Sequence, residues 1–198
     1  MPPDFGPARI DEYDQAVLTP SGTRRRFTYW SGYPRRLMGL HVRPKDIHHH
    51  DQRGAVYVDG RLIRASQRDW FTDSRPVDPV KLPHHGQSGE YLEGTWLYGG
   101  HWMGHFGHFL LETLTSLWPH PSTVDGVVFH LWPSDTYAVP PLPWQGRLLQ
   151  RAGWNVPVHI VQKAPVQVER LLLPTRAYRL HRGALPEAVS VWEAIAPQ

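Results

Sequence analysis

The chain has 198 residues, of which 40% are hydrophobic and 20% charged, a composition typical of a globular protein of about one domain. It has no cysteine, which excludes disulfides and thiolate chemistry, and no apolar run approaches the roughly 18 residues of a membrane span. The net charge of +3 is too small to indicate nucleic-acid binding, although it could favour an anionic ligand. The N-terminus lacks the features of a secretory signal, so we expect a cytoplasmic protein.

The N-terminal part, residues 1–54, is rich in proline, arginine and histidine and predicts an irregular segment with one short strand at 27–30. The run 48–51, His-His-His-Asp, has the composition of a metal site. Adjacent side chains on an extended chain point to opposite sides, so all three imidazoles rarely reach one ion. The run therefore favours a solvated loop over a metal site.

Residues 55–198 predict an α/β domain. Asp59-Gly60 between two β-prone runs predicts a β-hairpin with a two-residue turn. The order that follows is strand, helix, strand, helix, strand, strand, helix, which indicates a mostly parallel sheet flanked by helices. The predicted strands are 93–98, 126–132, 156–161 and 168–174, the predicted helices begin near 107, 143 and 186, and in the last helix Val189, Trp192 and Ile195 are spaced to form one face.

The first of these helices follows a loop with four glycines and carries a strong amphipathic pattern. Its predicted apolar side consists of Leu110, Leu111, Leu114, Leu117 and Trp118, and its polar side of His108, Glu112, Thr115 and Ser116. His108 and Glu112 are four residues apart, so one helical turn brings their side chains together. A carboxylate that accepts the proton of one imidazole nitrogen makes the other nitrogen a better base. The alternative is an ordinary exposed polar pair, and the glycine-rich approach favours a functional pair.

The histidines also permit a metal hypothesis. On one continuous helix His101, His105, His108 and Glu112 would form a stripe, and such a set suits zinc. Gly104 and Gly107 interrupt it, however, and each glycine costs a helix about 1 kcal/mol. We therefore expect the helix to begin near Gly107, His101 and His105 to lie in the preceding loop, and no metal to be bound.

A second candidate site follows the last predicted strand of the sheet, where Arg176, Arg179 and Arg182 are closely spaced. Ligands of open α/β sheets bind at the carboxyl ends of parallel strands, and guanidinium groups there could bind a phosphate or an acidic sugar. The alternative is a basic surface loop. The sequence has no phosphate-binding glycine loop, no dinucleotide fingerprint, no nucleophile elbow and no Asp-x-Asp pair.

The stretch 104–118, GHFGHFLLETLTSLW, resembles the signature of glycosyltransferase family 61, which includes bacterial capsular polysaccharide biosynthesis enzymes and plant xylosyltransferases. The stretch 168–180 resembles the segment that closes the N-terminal half of that family, and the likeness covers roughly residues 55–196. Two positions depart from the pattern: His105 stands where asparagine is usual, and Ser116 where the family tends to have arginine.

The resemblance implies two Rossmann-like halves in the GT-B arrangement and an inverting transfer from a nucleotide sugar to a glycan or other hydroxyl acceptor, without a further cofactor. It implies that His108 is the catalytic base and Glu112 its orienting partner. The substrate-binding residues implied or suggested are Gly104, His105, Gly107, Arg176 and Arg179.

The family's donor nucleotide is held mainly by a C-terminal half, and this chain ends about where that half should begin. The resemblance therefore leaves three alternatives: the sequence is a fragment, the gene product is truncated, or a second chain supplies the rest. We expect this chain alone to be weakly active or inactive. Two alternatives remain open: a non-catalytic carbohydrate-binding or scaffold module, and a small metal-dependent hydrolase built on the histidines.

Overall fold

The computed structural model describes residues 6–27, 47–52, 54–67, 89–119, 124–132, 141–179 and 182–196, with 22–27 and 47–52 described by their backbone alone. The strands are β1 (Ile10–Thr19), β2 (Gly22–Phe27), β3 (Ile47–Gln52), β4 (Ala55–Val58), β5 (Arg61–Leu62), β6 (Glu90–Trp102), β7 (Gly126–Leu131), β8 (Val158–Val161), β9 (Val166–Pro174), β10 (Tyr178–Arg179) and β11 (Gly183–Ala184).

The helical elements begin with a short turn at Arg64–Ser66. Helix α1 (Phe106–His108) continues without a break as a π turn (Phe109–Thr113) and a 3-10 turn (Leu114–Leu117), and we call the whole segment, 106–117, the central helix. Helices α2 (Pro143–Arg151) and α3 (Pro186–Ile195) both begin with proline, whose fixed φ suits the first helical turn. Among the described residues, no helix is long and apolar enough to cross a lipid bilayer.

The main sheet has seven strands in the order β5-β4-β1-β9-β6-β7-β8. The pairs β9–β6, β6–β7 and β7–β8 are parallel, whereas β5–β4, β4–β1 and β1–β9 are antiparallel. The predicted α/β class is confirmed. The predicted order of strands and helices after residue 90 is found as well, with the short strands β10 and β11 added between β9 and α3. The expectation of a mostly parallel sheet is wrong, because an antiparallel half adds three strands.

The N-terminal part contributes to this sheet. β1 pairs with β9 from Ile10 opposite Pro174 to Leu18 opposite Val166, so the expectation of an irregular segment is wrong for residues 10–19. The run 48–51 lies in β3, paired with β2, and is not a loop. Of the strand expected at 27–30, only Phe27 is described, as the last residue of β2, and the rest lies outside the described residues.

The predicted hairpin is confirmed. β4 and β5 pair with Val58 opposite Arg61, and the two turn residues between them, Asp59 and Gly60, have φ of 48° and 75°. A two-residue turn with both φ positive matches the right-handed twist of the flanking strands. The hairpin leads directly into the turn that ends at Ser66, whose carbonyl accepts a hydrogen bond from Arg176.

The sheet separates two cores. The core under the helices includes Trp102, Phe109, Phe129, Leu149, Trp154 and Val191, and the core on the other face includes Leu18, Val56, Tyr98, Val128 and Leu171. A Cβ on Gly54, next to β4, would lie 2.2 Å from the His130 ring on β7, although three strands separate β4 from β7 in the sheet. The sheet therefore curls strongly, and its antiparallel half folds over the second core.

Helix α3 packs through a different face from the one predicted. Its buried residues are Ala188, Val191 and Ile195, whereas Val189 is 44% exposed. Trp192 is half-buried at the border, where its indole N–H donates to the Leu110 carbonyl of the central helix at 3.1 Å. The predicted face followed spacing alone. Packing against the central helix, α2 and β11 selected the neighbouring stripe, one residue earlier at two of its three positions.

Candidate functional site

The candidate site lies where two parallel strands end side by side. β6 ends at Trp102 and leads into the central helix. Its neighbour β9 ends at Pro174 and leads into the segment that carries Arg176, Arg179 and Arg182, which we call the arginine loop. The chain leaves β6 towards β7 on one side, while β9 lies on the other side. Such a reversal of strand order opens a crevice outside the carboxyl ends of the strands, the usual ligand site of open α/β sheets.

His108 and Glu112 meet as their spacing predicts. His108 Nδ1 lies 2.6 Å from Glu112 Oε1, and the side chains are 42% and 13% exposed, respectively. An ionised carboxylate can only accept a hydrogen bond, so Nδ1 carries the proton in this pair. The neutral imidazole then has its lone pair on Nε2, the nitrogen that a substrate hydroxyl could approach.

His105 adjoins this pair. It directly precedes the central helix with an extended backbone, and its carbonyl accepts the Phe109 amide at 2.9 Å. Its exposed ring lies 5.3 Å from the His108 ring, edge to face. A Cβ on Gly107 would lie 3.5 Å from the His105 ring. The helix start thus brings together four predicted site residues, Gly104, His105, Gly107 and His108.

Thr115 and Ser116, the other two residues of the predicted polar side, do not lie at the protein surface. Thr115 and Ser116 are 1% and 7% exposed, so their assignment to the solvent side is wrong. Thr115 Oγ1 donates to the Leu111 carbonyl at 2.6 Å, and Ser116 Oγ donates to the Glu112 carbonyl at 2.9 Å. Hydroxyls that bond back to their own helix can be buried without leaving an unsatisfied group, and a wheel based on residue type misplaces them.

The glycines at 99 and 100 belong to β6 and not to a loop. The β6–β7 register shifts between Tyr98 and His101, and Gly100 has φ of +78°, as in a bulge that re-aims a strand near a site. A Cβ on Gly99 would lie 2.0 Å from the Phe129 ring. These glycines therefore allow close packing beneath the central helix and do not themselves face a ligand.

The histidine stripe is divided as expected, but His101 lies elsewhere than predicted. It is a residue of β6, 5% exposed, with its ring 5.7 Å from that of His130 and 5.5 Å from that of Trp132. Within the described ranges, no group of three or more His, Cys, Asp or Glu side chains could hold a metal ion. The zinc hypothesis therefore has no geometric support in these residues.

The arginine loop lies beside the central helix at the carboxyl end of β9. The indole N–H of Trp118 donates to the Thr175 carbonyl at 2.8 Å, and the Tyr178 ring packs against Trp192. Arg176 is half-buried and donates from Nη2 to the Ser66 carbonyl at 3.1 Å. Arg179, in β10, is also half-buried. The predicted position is confirmed, and Arg176 anchors the loop as well.

Gln145 is a residue that sequence reasoning missed. It is fully buried, and its Oε1 accepts from the Trp102 indole at 3.1 Å and from the Leu142 amide at 2.8 Å. Its Nε2 donates to the Met103 carbonyl at 3.0 Å. One side chain thus joins the start of α2 to the segment that enters the central helix. A glutamine at the third position of a helix that begins with proline was the available signal.

A buried polar network behind the site was missed as well. Tyr98 Oη lies 2.8 Å from His130 Nδ1 and 3.3 Å from the Ser66 carbonyl. Burial lowers the pKa of His130 to about 3, against a raising effect from its hydrogen bond with the Thr19 backbone. Burial raises the pKa of Tyr98, and the Arg176 guanidinium opposes that rise. The network therefore consists of neutral groups at physiological pH.

Comparison of the chain with known protein families, with curated proteins and with solved structures finds no match. The chemical interpretation therefore depends on the geometry of the site. A half-exposed imidazole, oriented by a nearly buried carboxylate at the carboxyl edge of a sheet, can take a proton from a bound hydroxyl.

Proposed function

We propose that this chain is the acceptor-side part of an inverting glycosyltransferase, with His108 as general base and Glu112 as its orienting partner. The observation that carries the proposal is the 2.6 Å contact between His108 Nδ1 and Glu112 Oε1. It combines with the resemblance of residues 104–118 to the family 61 signature. The parallel half of the sheet is compatible with a Rossmann-like half of a GT-B arrangement, which we propose as the wider architecture.

In the proposed step, His108 Nε2 takes the proton of an acceptor hydroxyl while that oxygen attacks the anomeric carbon of a nucleotide sugar. The bond between the anomeric carbon and the phosphate oxygen breaks, the nucleoside diphosphate leaves, and the configuration at carbon inverts. The proton remains on His108 as an imidazolium, which the Glu112 carboxylate stabilises. Both neutral and protonated states of His108 thus have a matched partner.

The neighbouring residues take supporting roles. His105 is exposed and its ring contacts that of His108, so it is the candidate polar contact to the acceptor. Gly104 and Gly107 have no side chains and therefore add little steric bulk beside it. Arg176 and Arg179, in the loop after β9, are candidates to face the anionic donor across the cleft, because guanidinium groups pair well with phosphates. On this proposal the donor itself is bound mainly by a second half.

The test is a transfer assay that follows release of nucleoside diphosphate from a panel of nucleotide sugars. It is run with the chain alone and with any segment encoded downstream. We expect His108→Gln to lower kcat about 10²–10⁴-fold, the usual contribution of a general base, and Glu112→Gln to lower it less.

A matched control exists on the opposite edge of the sheet. His159 Nδ1 lies 3.6 Å from Glu90 Oε1, so His159→Gln also removes a histidine from a carboxylate partner. We expect this variant to keep wild-type turnover. Equal rates for His108→Gln and wild type would contradict the proposal.

The alternative is a non-catalytic carbohydrate-binding or scaffold module. One observation favours it: Phe106, at the start of the central helix, is 58% exposed, and exposed aromatic rings suit sugar binding. Under this alternative, glycan binding is saturable, no nucleotide sugar is consumed with any downstream segment, and His108→Gln changes nothing. Transfer that depends on His108 would exclude it.

A further inference from the structure

Two aromatic rings lie at the start of the central helix, outside the His108–Glu112 pair. Phe106 has the largest exposed fraction, 58%, of any bulky apolar side chain among the described residues. Its ring centroid lies 5.4 Å from that of Trp144 in α2, with 55° between the ring planes, and Trp144 is half-buried. We call Phe106 and Trp144 the aromatic platform.

The platform is anchored to the core. Trp144 packs edge to face on Phe109 with centroids 5.1 Å apart, and Phe109 in turn packs on Trp102 at 5.1 Å. Both of those inner rings are 0–1% exposed. The Phe106 carbonyl accepts the Phe109 amide, so its backbone is fixed in the first helical turn. An exposed ring held on fixed elements has little conformational entropy to lose when a ligand binds.

The distance between the aromatic platform and His108 sets the size of a ligand that can contact both. Residues two apart on a helix face different sides, so Phe106 and His108 point away from each other across the helix end. A helix with its side chains is about 10–12 Å wide, which is on the order of two linked sugar rings. His105 directly precedes the helix, and its exposed ring lies 5.3 Å from that of His108.

We propose that the aromatic platform is a subsite for a pyranose ring of an oligosaccharide acceptor, about one unit away from the ring whose hydroxyl meets His108. This inference rests on the proposed function and narrows the acceptor from any hydroxyl compound to a glycan of at least two sugars. A pyranose presents C–H groups on its faces and hydroxyls at its edge. An aromatic face binds the C–H groups, and His105 offers a polar partner to the edge, the combination typical of ligand sites.

The experiment is saturation-transfer NMR on the intact chain, with cellobiose and xylobiose as probes and sorbitol as a polyol without a ring. We expect the C–H protons of one disaccharide to receive saturation, and sorbitol to receive little. Phe106→Ala should weaken binding several-fold to about tenfold, the scale of one aromatic contact, and Phe106→Tyr should restore it. Tyr91→Ala is the control, because Tyr91 is a 51% exposed aromatic residue at the amino end of β6.

Three outcomes would overturn the platform: no saturation of either disaccharide, equal saturation of sorbitol, or unchanged binding in Phe106→Ala. The proposed function is tested separately. If transfer requires His108 but the KM for the acceptor is unchanged in Phe106→Ala, the proposed function is supported and the proposed subsite is contradicted. Disaccharide binding that needs Phe106, without transfer under any condition, leaves the platform standing and removes the function.

Discussion

At the residue scale, His108 and His130 each have a hydrogen-bond partner at Nδ1, but their surroundings favour different protonation behaviour. His108 has a carboxylate on Nδ1 and is 42% exposed, so its protonated form has both a counter-charge and water. His130 has a phenol hydroxyl on Nδ1 and is fully buried, so its protonated form has neither. His108 is therefore the histidine of the two that could serve as the proposed base, and His130 stays neutral as part of the packing.

The low pKa of His130 predicts a dependence of stability on pH. Its pKa is about 3 in the folded state and about 6.5 in the unfolded chain, so between these values the unfolded state binds more protons. Stability from this residue is complete above pH 6.5 and is lost as pH falls towards 3, by up to about 1.4 kcal/mol per pH unit. Denaturant titrations between pH 6.5 and 5 measure the slope.

The change of the free energy of unfolding with pH is compared between wild type and His130→Gln, whose glutamine side chain does not titrate. We expect the free energy of unfolding of this variant to be lower at neutral pH but flatter with pH than in wild type. Identical slopes for His130→Gln and wild type would contradict the neutral, buried state assigned to His130.

At the element scale, the central helix is held in place by its two ends and its neighbours rather than by regular α geometry. Its middle is a π turn, in which the Leu114 amide bonds to the Phe109 carbonyl five residues back. Such turns occur often at functional sites, and this one directly follows His108 and contains Glu112. The entering segment is fixed by Gln145, and the Leu110 carbonyl by Trp192.

The role of Gln145 gives a prediction at this scale. Gln145→Leu would leave the Trp102 indole, the Leu142 amide and the Met103 carbonyl buried without their partner, and each lost partner costs about 1–3 kcal/mol. We expect the free energy of unfolding to fall by about 2–5 kcal/mol. Gln150→Leu, at an exposed position of the same helix, is the control and should change stability little. Similar values for both variants would show that Gln145 does not anchor the segment.

At the scale of the whole molecule, seven of the described strands form a curled mixed sheet whose two halves depend on each other. β1 joins the antiparallel half to β9 of the parallel half, and the Arg176–Ser66 and Tyr98–Ser66 hydrogen bonds join the hairpin to the site. Residues 10–19 are therefore part of the same sheet as the strands of the α/β domain. Any change that loosens β1 should also loosen the arginine loop.

A substitution in β1 tests this dependence. Leu18 is fully buried in the second core, so Leu18→Ala should lower the free energy of unfolding by about 2–5 kcal/mol. Ile10→Ala, in the same strand but at a 40% exposed position, should cost much less. A negligible cost for Leu18→Ala, measured by urea denaturation, would mean that residues 10–19 are dispensable for the sheet.

The candidate pair was predictable because it is local. Helical spacing alone places His108 beside Glu112, and the glycines alone exclude a continuous histidine stripe. The hairpin at Asp59-Gly60, the strand and helix order after residue 90 and the position of the arginine loop also follow from nearby residues. These features depend on contacts within a few residues or on a general rule of sheet topology, so periodicity and turn chemistry are sufficient to predict them.

Contacts distant in the chain decided the rest. The first half of β1 carries Asp11, Glu12, Asp14 and Gln15, so it lacks the apolar signal of a strand. β1 is a strand because it pairs with β9 on one side and β4 on the other. Thr115 and Ser116 are buried because the sheet lies beneath them, and Gln145 matters because Met103 and Trp102 reach it. Phe106 packs against Trp144 of another helix and remains 58% exposed. Local spacing determined the His108–Glu112 pair, and only tertiary packing decided which neighbours surround it, because burial depends on residues far away in the sequence.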